Sequence, residues 1–178
     1  MWLAFTIAGL LACPAAWRPG AATAFEVQVP AAWEVSRNYR WLNTHNLTIR
    51  RGGAAVSIRV EPNRGKARRL PLSVLASVRA LSWGRHLGVA SVIVAEHELV
   101  VDDRRGCAVT GLRRWRTATV GYTMILVRGD ARLAELALHA PPSELDDATQ
   151  GWDAILSSFR LHDSPAPPPT FVDDSWPR

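Results

Sequence analysis

One stretch constrains the fold of this chain more than any other. Across Thr119–Arg128, Val120, Tyr122, Met124 and Leu126 fall on one side of an extended strand, and Ile125 and Val127 fall on the other. A strand apolar on both sides has to be covered on both sides. It therefore belongs inside a sheet that has further layers above and below it.

Neighbouring runs supply that sheet. Phe25-Glu26-Val27-Gln28-Val29 alternates as a half-buried strand, Pro30 stops it, and Trp33 is expected to pack back over its end. Leu47–Arg51 and Ala54–Val60 flank a Gly52-Gly53 hairpin turn. Ser91–Val101, Gly106–Arg116, Thr119–Arg128 and Ala131–His139 follow one another through short connections, which makes neighbours antiparallel. Residues 34–46, mixed polar and aromatic, read as a loop carrying Tyr39 and Trp41.

Two helices complete the pattern. Over Leu70–Trp83, Val74, Leu75, Val78 and Leu81 recur at helical spacing, with Pro71 in the first turn and Gly84 at the C-terminal cap. After Pro141-Pro142, Ser143 suits an N-cap, and Leu145, Ala148, Trp152, Ile155, Leu156 and Phe159 form one apolar stripe. The expected fold class is α+β: an antiparallel β-sheet of about six to seven strands with helices on both faces, an α/β/α sandwich.

The ends of the chain suggest export. Met1–Trp17 carries no charged residue, is short for a membrane span, and is followed by Arg18-Pro19-Gly20 and the small residues Ala22-Thr23-Ala24. That pattern predicts a signal peptide at 1–24, a single domain at 25–162 and a Pro-rich disordered tail at 163–178. A second route competes, because Leu10-Leu11-Ala12-Cys13 resembles a lipobox. On that route residues 1–12 are removed, Cys13 is lipidated and Pro14–Ala24 becomes a tether to the membrane. The product is exported either way, as a periplasmic or secreted protein or as a bacterial cell-envelope lipoprotein. Cys107 is then the last cysteine, so no intramolecular disulfide forms, and it reads as a buried inert thiol.

The charge balance is modest. Lys and Arg number 21 against 16 acidic residues, and removing Arg18 with the signal leaves 20 against 16, a net of +4. With no helix-turn-helix, zinc-knuckle or RNP pattern beside it, this excess does not favour nucleic acid as a partner. Its main basic groups are Arg68 and Arg69 in one loop and Arg113 and Arg114 near a strand end, a candidate surface for anionic head groups or an acidic partner. Tyr39 and Trp41 are the aromatic candidates for a binding face.

Catalytic patterns are sparse. His45, His86, His97, His139 and His162 show no metal-ligand spacing, and in Glu96-His97-Glu98 the histidine faces away from both carboxylates on a strand. There is no G-x-S-x-G and no phosphate-binding glycine loop. No catalytic, metal or cofactor-binding residue is therefore assigned, and no cofactor is expected.

The order of elements is similar to the PsbP-like superfamily. The resemblance rests on F-x-V-x-V-P-x-x-W from Phe25 to Trp33, then a hairpin, a helix, an antiparallel meander and a closing helix ending in Ser157-Ser158-Phe159-Arg160-Leu161. It covers about residues 25–161 and implies an exported α/β/α sandwich of accessory, assembly or ligand-binding type, with no shared active site to carry over. The expectation is a non-enzymatic envelope protein that binds a protein partner or a small apolar ligand. The alternative is a small exported hydrolase or metal-dependent enzyme whose histidines meet a carboxylate or Cys107 only in three dimensions.

Overall fold

The computed structural model describes residues 24–85, 88–114 and 117–163, and the backbone alone of 16–17 and 115. Cys13, His86 and the tail beyond Asp163 lie outside the described residues. The strands are β1 (Ala16–Trp17), β2 (Phe25–Gln28), β3 (Glu34–Trp41), β4 (Thr44–Arg51), β5 (Ala54–Pro62), β6 (Ala90–Val101), β7 (Arg104–Trp115), β8 (Ala118–Arg128), β9 (Arg132–Ala140) and β10 (Arg160–Leu161). The helices are α1 (Lys66–Arg69), α2 (Leu72–Ser82) and α3 (Leu145–Ser158).

Seven strands form one antiparallel sheet in the order β3-β4-β5-β9-β8-β7-β6. The four-strand meander sits where the sequence places it, and its turns have physical causes. Asp102 and Asp103 both adopt positive φ, 52° and 57°, the two left-handed residues a tight β6–β7 hairpin needs. Gly52 takes φ 56° in the β4–β5 hairpin, where a side chain would be strained.

Two expectations are corrected. Residues 34–46 are not a loop: Glu34–Trp41 is a strand paired with β4 from Glu34↔Arg50 to Trp41↔Thr44. Every residue of β3 is exposed, so the strand carries no alternating burial and its sequence lacks the period-2 signature. The Phe25–Gln28 strand is not part of the main sheet. It pairs with β1 and β10 in a separate three-stranded ribbon.

The double-sided strand is buried as its pattern demands. Tyr122, Met124 and Leu126 lie in one cluster with Leu75, Ala76 and Ala80 of α2. Ile125 and Val127 lie in another with Ala148, Trp152 and Ile155 of α3 and with Phe25, Val27 and Trp33. Residues directly opposite in antiparallel strands share a face. The row Tyr39–Asn46–Arg59–Glu135–Leu126–Cys107–Glu98 therefore runs across all seven strands on the α2 side.

The closing elements lock the ribbon to the sheet. Phe25 stacks on Phe159 with ring centroids 5.8 Å apart, the Gln28 N–H donates to Ser158 Oγ at 3.0 Å, and Leu161 N–H donates to Asp102 Oδ2 at 2.8 Å. Asp163, assigned to the tail by its sequence, accepts backbone N–H bonds from Ala131 and Arg132 at 2.9 and 3.0 Å in the β8–β9 turn.

Candidate functional site

The α2 side of the sheet is unevenly covered. Helix α2 packs against β6, β7 and β8, and Arg79 on it reaches outward to Glu135 of β9 at 2.9 Å and to Glu61 of β5. Beyond that ion-pair line, β3, β4 and the near side of β5 present an open surface. Asn46, Thr48 and Ser57 are partly exposed, and Arg37, Tyr39, Trp41 and Arg59 are exposed. On the opposite side of the same strands Leu47, Ile49, Val56, Ile58 and Val60 are buried at 0–1% exposure.

Tyr39 and Trp41 stand on this open half. They are two residues apart on one strand, so both side chains leave the sheet on the same side. Tyr39 is 54% exposed and Trp41 71%. Beside them the β3–β4 turn carries Leu42, which has φ 52° and is 76% exposed. Large apolar side chains are thus left in solvent beside arginines.

The basic candidates do not form one patch. Arg68 and Arg69 are exposed on α1, and Arg114 is exposed on β7. Arg113 is not at the surface: it is 1% exposed. Adjacent residues of a strand point to opposite faces, so Arg113 turns to the α2 side and Arg114 to the other. The four-arginine surface expected from the sequence is thereby broken.

Arg113 lies instead in a compact polar cluster under the end of α2. Its guanidinium carbon is 4.3 Å from the Trp83 ring centroid and 4.0 Å from that of Tyr122, so the cation is held between two aromatic faces. Its Nη1–H faces the ring nitrogen Nε2 of His139, and the His139 ring lies 5.1 Å from Trp83. Burial, then the neighbouring Arg113 charge, lowers His139 to about 3. The imidazole is therefore neutral, with Nε2 accepting a hydrogen bond from the guanidinium Nη1–H and the other nitrogen carrying the ring proton. Burial lowers Arg113 to about 10, against the opposing pull of Tyr122 and Glu135, so it stays charged at neutral pH.

This cluster predicts an acid-sensitive fold. The folded His139 holds no proton where the unfolded one does, so the unfolded state binds more protons between about pH 6.5 and pH 3. Stability contributed by neutral His139 is complete above that window and is lost as pH falls through it, by an amount on the order of 4 kcal/mol. Denaturation curves for His139→Gln are expected to show a markedly shallower decline from pH 7 to pH 4 than those of the wild type. Parallel declines would assign the acid sensitivity to carboxylates instead.

Other candidate chemistry remains scattered. Cys107 is 2% exposed and free, and burial, followed by the Glu96 and Glu98 charges, pushes its thiol up, away from a nucleophilic thiolate. It borders a cleft of about 340 Å³ that also includes Glu98, Arg105 and Arg128. Arg128 spends its Nη2 on the carbonyls of Ala67 and Leu70, both at 2.7 Å. Among the described residues no three His, Cys, Asp or Glu side chains gather as metal ligands. His97 is exposed on β6, His45 lies on β4 facing away from α2, and His139 sits in the arginine cluster.

Comparison with known proteins rests on structure alone. No protein-family model matches the sequence, and no curated protein matches it. A cyanobacterial PsbP (CyanoP) from Synechocystis overlays with a TM-score of 0.60 at 9% identity, covering 78% of this chain and 87% of that one. A Pseudomonas aeruginosa protein of unknown function overlays with a TM-score of 0.54 at 9% identity, covering 84% and 97% of the two chains. Identity so low speaks for architecture and not for activity. On the strand order, the closing helix and these overlays, the chain has the PsbP-like fold.

Proposed function

We propose that the chain is a non-catalytic, exported binding domain of the bacterial envelope, with α2 and α3 as the two outer layers of an α/β/α sandwich. Its partner surface is the open half of the sheet around Tyr39 and Trp41. The observation that carries this reading is the exposure of that aromatic pair on a side of the sheet that α2 leaves uncovered. The surface is broad and bears Arg37 and Arg59, features that suit a protein partner better than a small apolar ligand, which needs a concave apolar pocket. The PsbP-like fold adds an association with accessory proteins.

Ala24 favours lipid anchoring over cleavage beside it. Ala24 is fully buried in the α3-side core, and its carbonyl accepts the His162 N–H at 2.9 Å. Cutting after Ala24 removes both contributions and places a charged amine at the start of β2. Processing at Cys13 keeps them and adds a tether. Intact-mass measurement of the mature protein is expected to show a diacylated or triacylated Cys13 terminus. A free Phe25 terminus would overturn the tether.

The binding reading is tested by Tyr39→Ser combined with Trp41→Ser. Both side chains are exposed, so the variant should keep its melting temperature within a few degrees. Recovery of the cross-linked envelope partner from cells should fall at least tenfold. Undiminished recovery from a folded variant would refute the surface.

A further inference from the structure

Arg113 is paired on one side only. Nη1 is engaged by His139, whereas Nε and Nη2 are buried and have no hydrogen-bond partner. Those two N–H groups form the side edge of the guanidinium, the fork that takes both oxygens of a carboxylate in parallel bonds. No carboxylate of the described residues makes an ion pair with Arg113. Glu135 acts on it at a distance, but its Oε2 already accepts from Arg79 at 2.9 Å.

Such an arrangement is costly as a purely structural element. A buried cation without a counter-ion is disfavoured by desolvation, and each unmade hydrogen bond adds a further penalty. The rings of Trp83 and Tyr122 offset part of this through their faces, and they leave the edge of the guanidinium unoccupied. Native structures rarely leave two buried donors of one group unpaired without a ligand, ion or water to explain them.

We propose that the Nε–Nη2 edge of Arg113 is a binding site for a carboxylate group. The chemistry is that of a monoanion beside two aromatic rings. The planar fork matches two carboxylate oxygens, Trp83 and Tyr122 flank the cation, and neutral His139 supplies no competing charge. Trp83 is the most exposed ring of the cluster, at 44% against 2% for Tyr122. It caps the C-terminus of α2 and is followed by Gly84 at φ 63°. The site lies under α2, apart from the Tyr39–Trp41 surface, and stands or falls independently of it.

Calorimetric titration of the full chain with sodium acetate and sodium benzoate tests the site, with sodium chloride and sodium phosphate at matched ionic strength as the other arms. Saturable binding of the two carboxylates is expected, stronger for benzoate, with little heat from chloride or phosphate. Arg113→Lys keeps the charge and loses the fork, and is expected to weaken benzoate binding at least tenfold. Arg113→Met keeps the stem and should abolish it. No saturable carboxylate binding by the wild type overturns the proposal, as does preference for phosphate or undiminished binding by Arg113→Lys. If Arg113→Met does not fold, Arg113→Lys alone decides.

Discussion

Gly111→Ala is expected to destabilise the domain by about 3 kcal/mol or more, a large share of the roughly 5–15 kcal/mol available to a domain of this size. Gly111 lies on β7 opposite Tyr122 of β8 and Ile93 of β6. A methyl group there would run into the backbone carbonyl oxygen of Val92 and would sit 2.9 Å from Tyr122 Oη and 3.0 Å from its Cε1. The carbonyl belongs to the β6 backbone, so no rotamer change relieves the contact, and β6 must shift away from β7. The register break between Ile93 and Ala95 lies beside this point. The variant should therefore lose pairing along β6 and loosen Tyr122 in the arginine cluster. Gly121→Ala on the adjoining strand is the control. Its methyl would meet Leu145 side-chain carbons at 3.5 and 3.6 Å, ordinary contact distances, and should change stability by under about 1 kcal/mol. Urea denaturation of the pair, with near-ultraviolet circular dichroism to follow the aromatic cluster, separates a steric effect at Gly111 from a general intolerance of alanine in the meander.

Gly151→Ala should cost about 2–4 kcal/mol even though alanine is favoured over glycine inside a helix by about 1 kcal/mol. Gly151 is on the buried face of α3, where a methyl group would overlap the Trp33 indole, with Cε2 at 2.6 Å and Cζ2 at 2.8 Å. Trp33 is 5% exposed, and its backbone N–H donates to the Pro30 carbonyl at 2.9 Å. The ring has no room to retreat without lifting the β2 ribbon from α3. Trp33→Leu makes space at the price of a cavity, so Gly151→Ala should cost less in that background than in the wild type. Thermal melts of the two single variants and the double variant measure the coupling. Additive losses would show that the two residues do not meet.

The close approach of Gly151 to Trp33 also explains why the V-P-x-x-W opening is informative about fold. Pro30 ends the strand, the following turn returns the chain, and the tryptophan docks on the one position of α3 without a side chain. That meeting joins residues 118 positions apart, and only the tryptophan half of it was visible as a pattern.

The meander was legible because its strands bury alternating residues and its turns need special backbone. Asp102-Asp103 and Gly52-Gly53 marked hairpins, and the two faces of β8 demanded two coverings. β3 was illegible for the opposite reason, since an edge strand exposed on both faces leaves no periodic trace. Arg113 was misplaced because Arg113-Arg114-Trp115-Arg116 looks like a charged strand end. A signal was present. Arg113 shares strand parity with Cys107, Val109 and Gly111, the side of β7 that packs against α2. The partners that hold it, Trp83, Tyr122 and His139, come from three separate elements, and no local spacing announces them. Tyr39 and Trp41 were picked out as aromatic, but their common side depended on the strand that the loop assignment concealed.

The binding surface is the centre of this account, and photo-cross-linking in living cells tests it most directly. A photoreactive residue at position 41 is compared with one at position 147, on the exposed face of α3 away from the open sheet. The surface proposed here predicts a discrete adduct with one envelope protein from position 41, its loss when Tyr39→Ser is added, and no such adduct from position 147. Equal adducts from the two positions, or none from position 41 in a folded and exported protein, would contradict it.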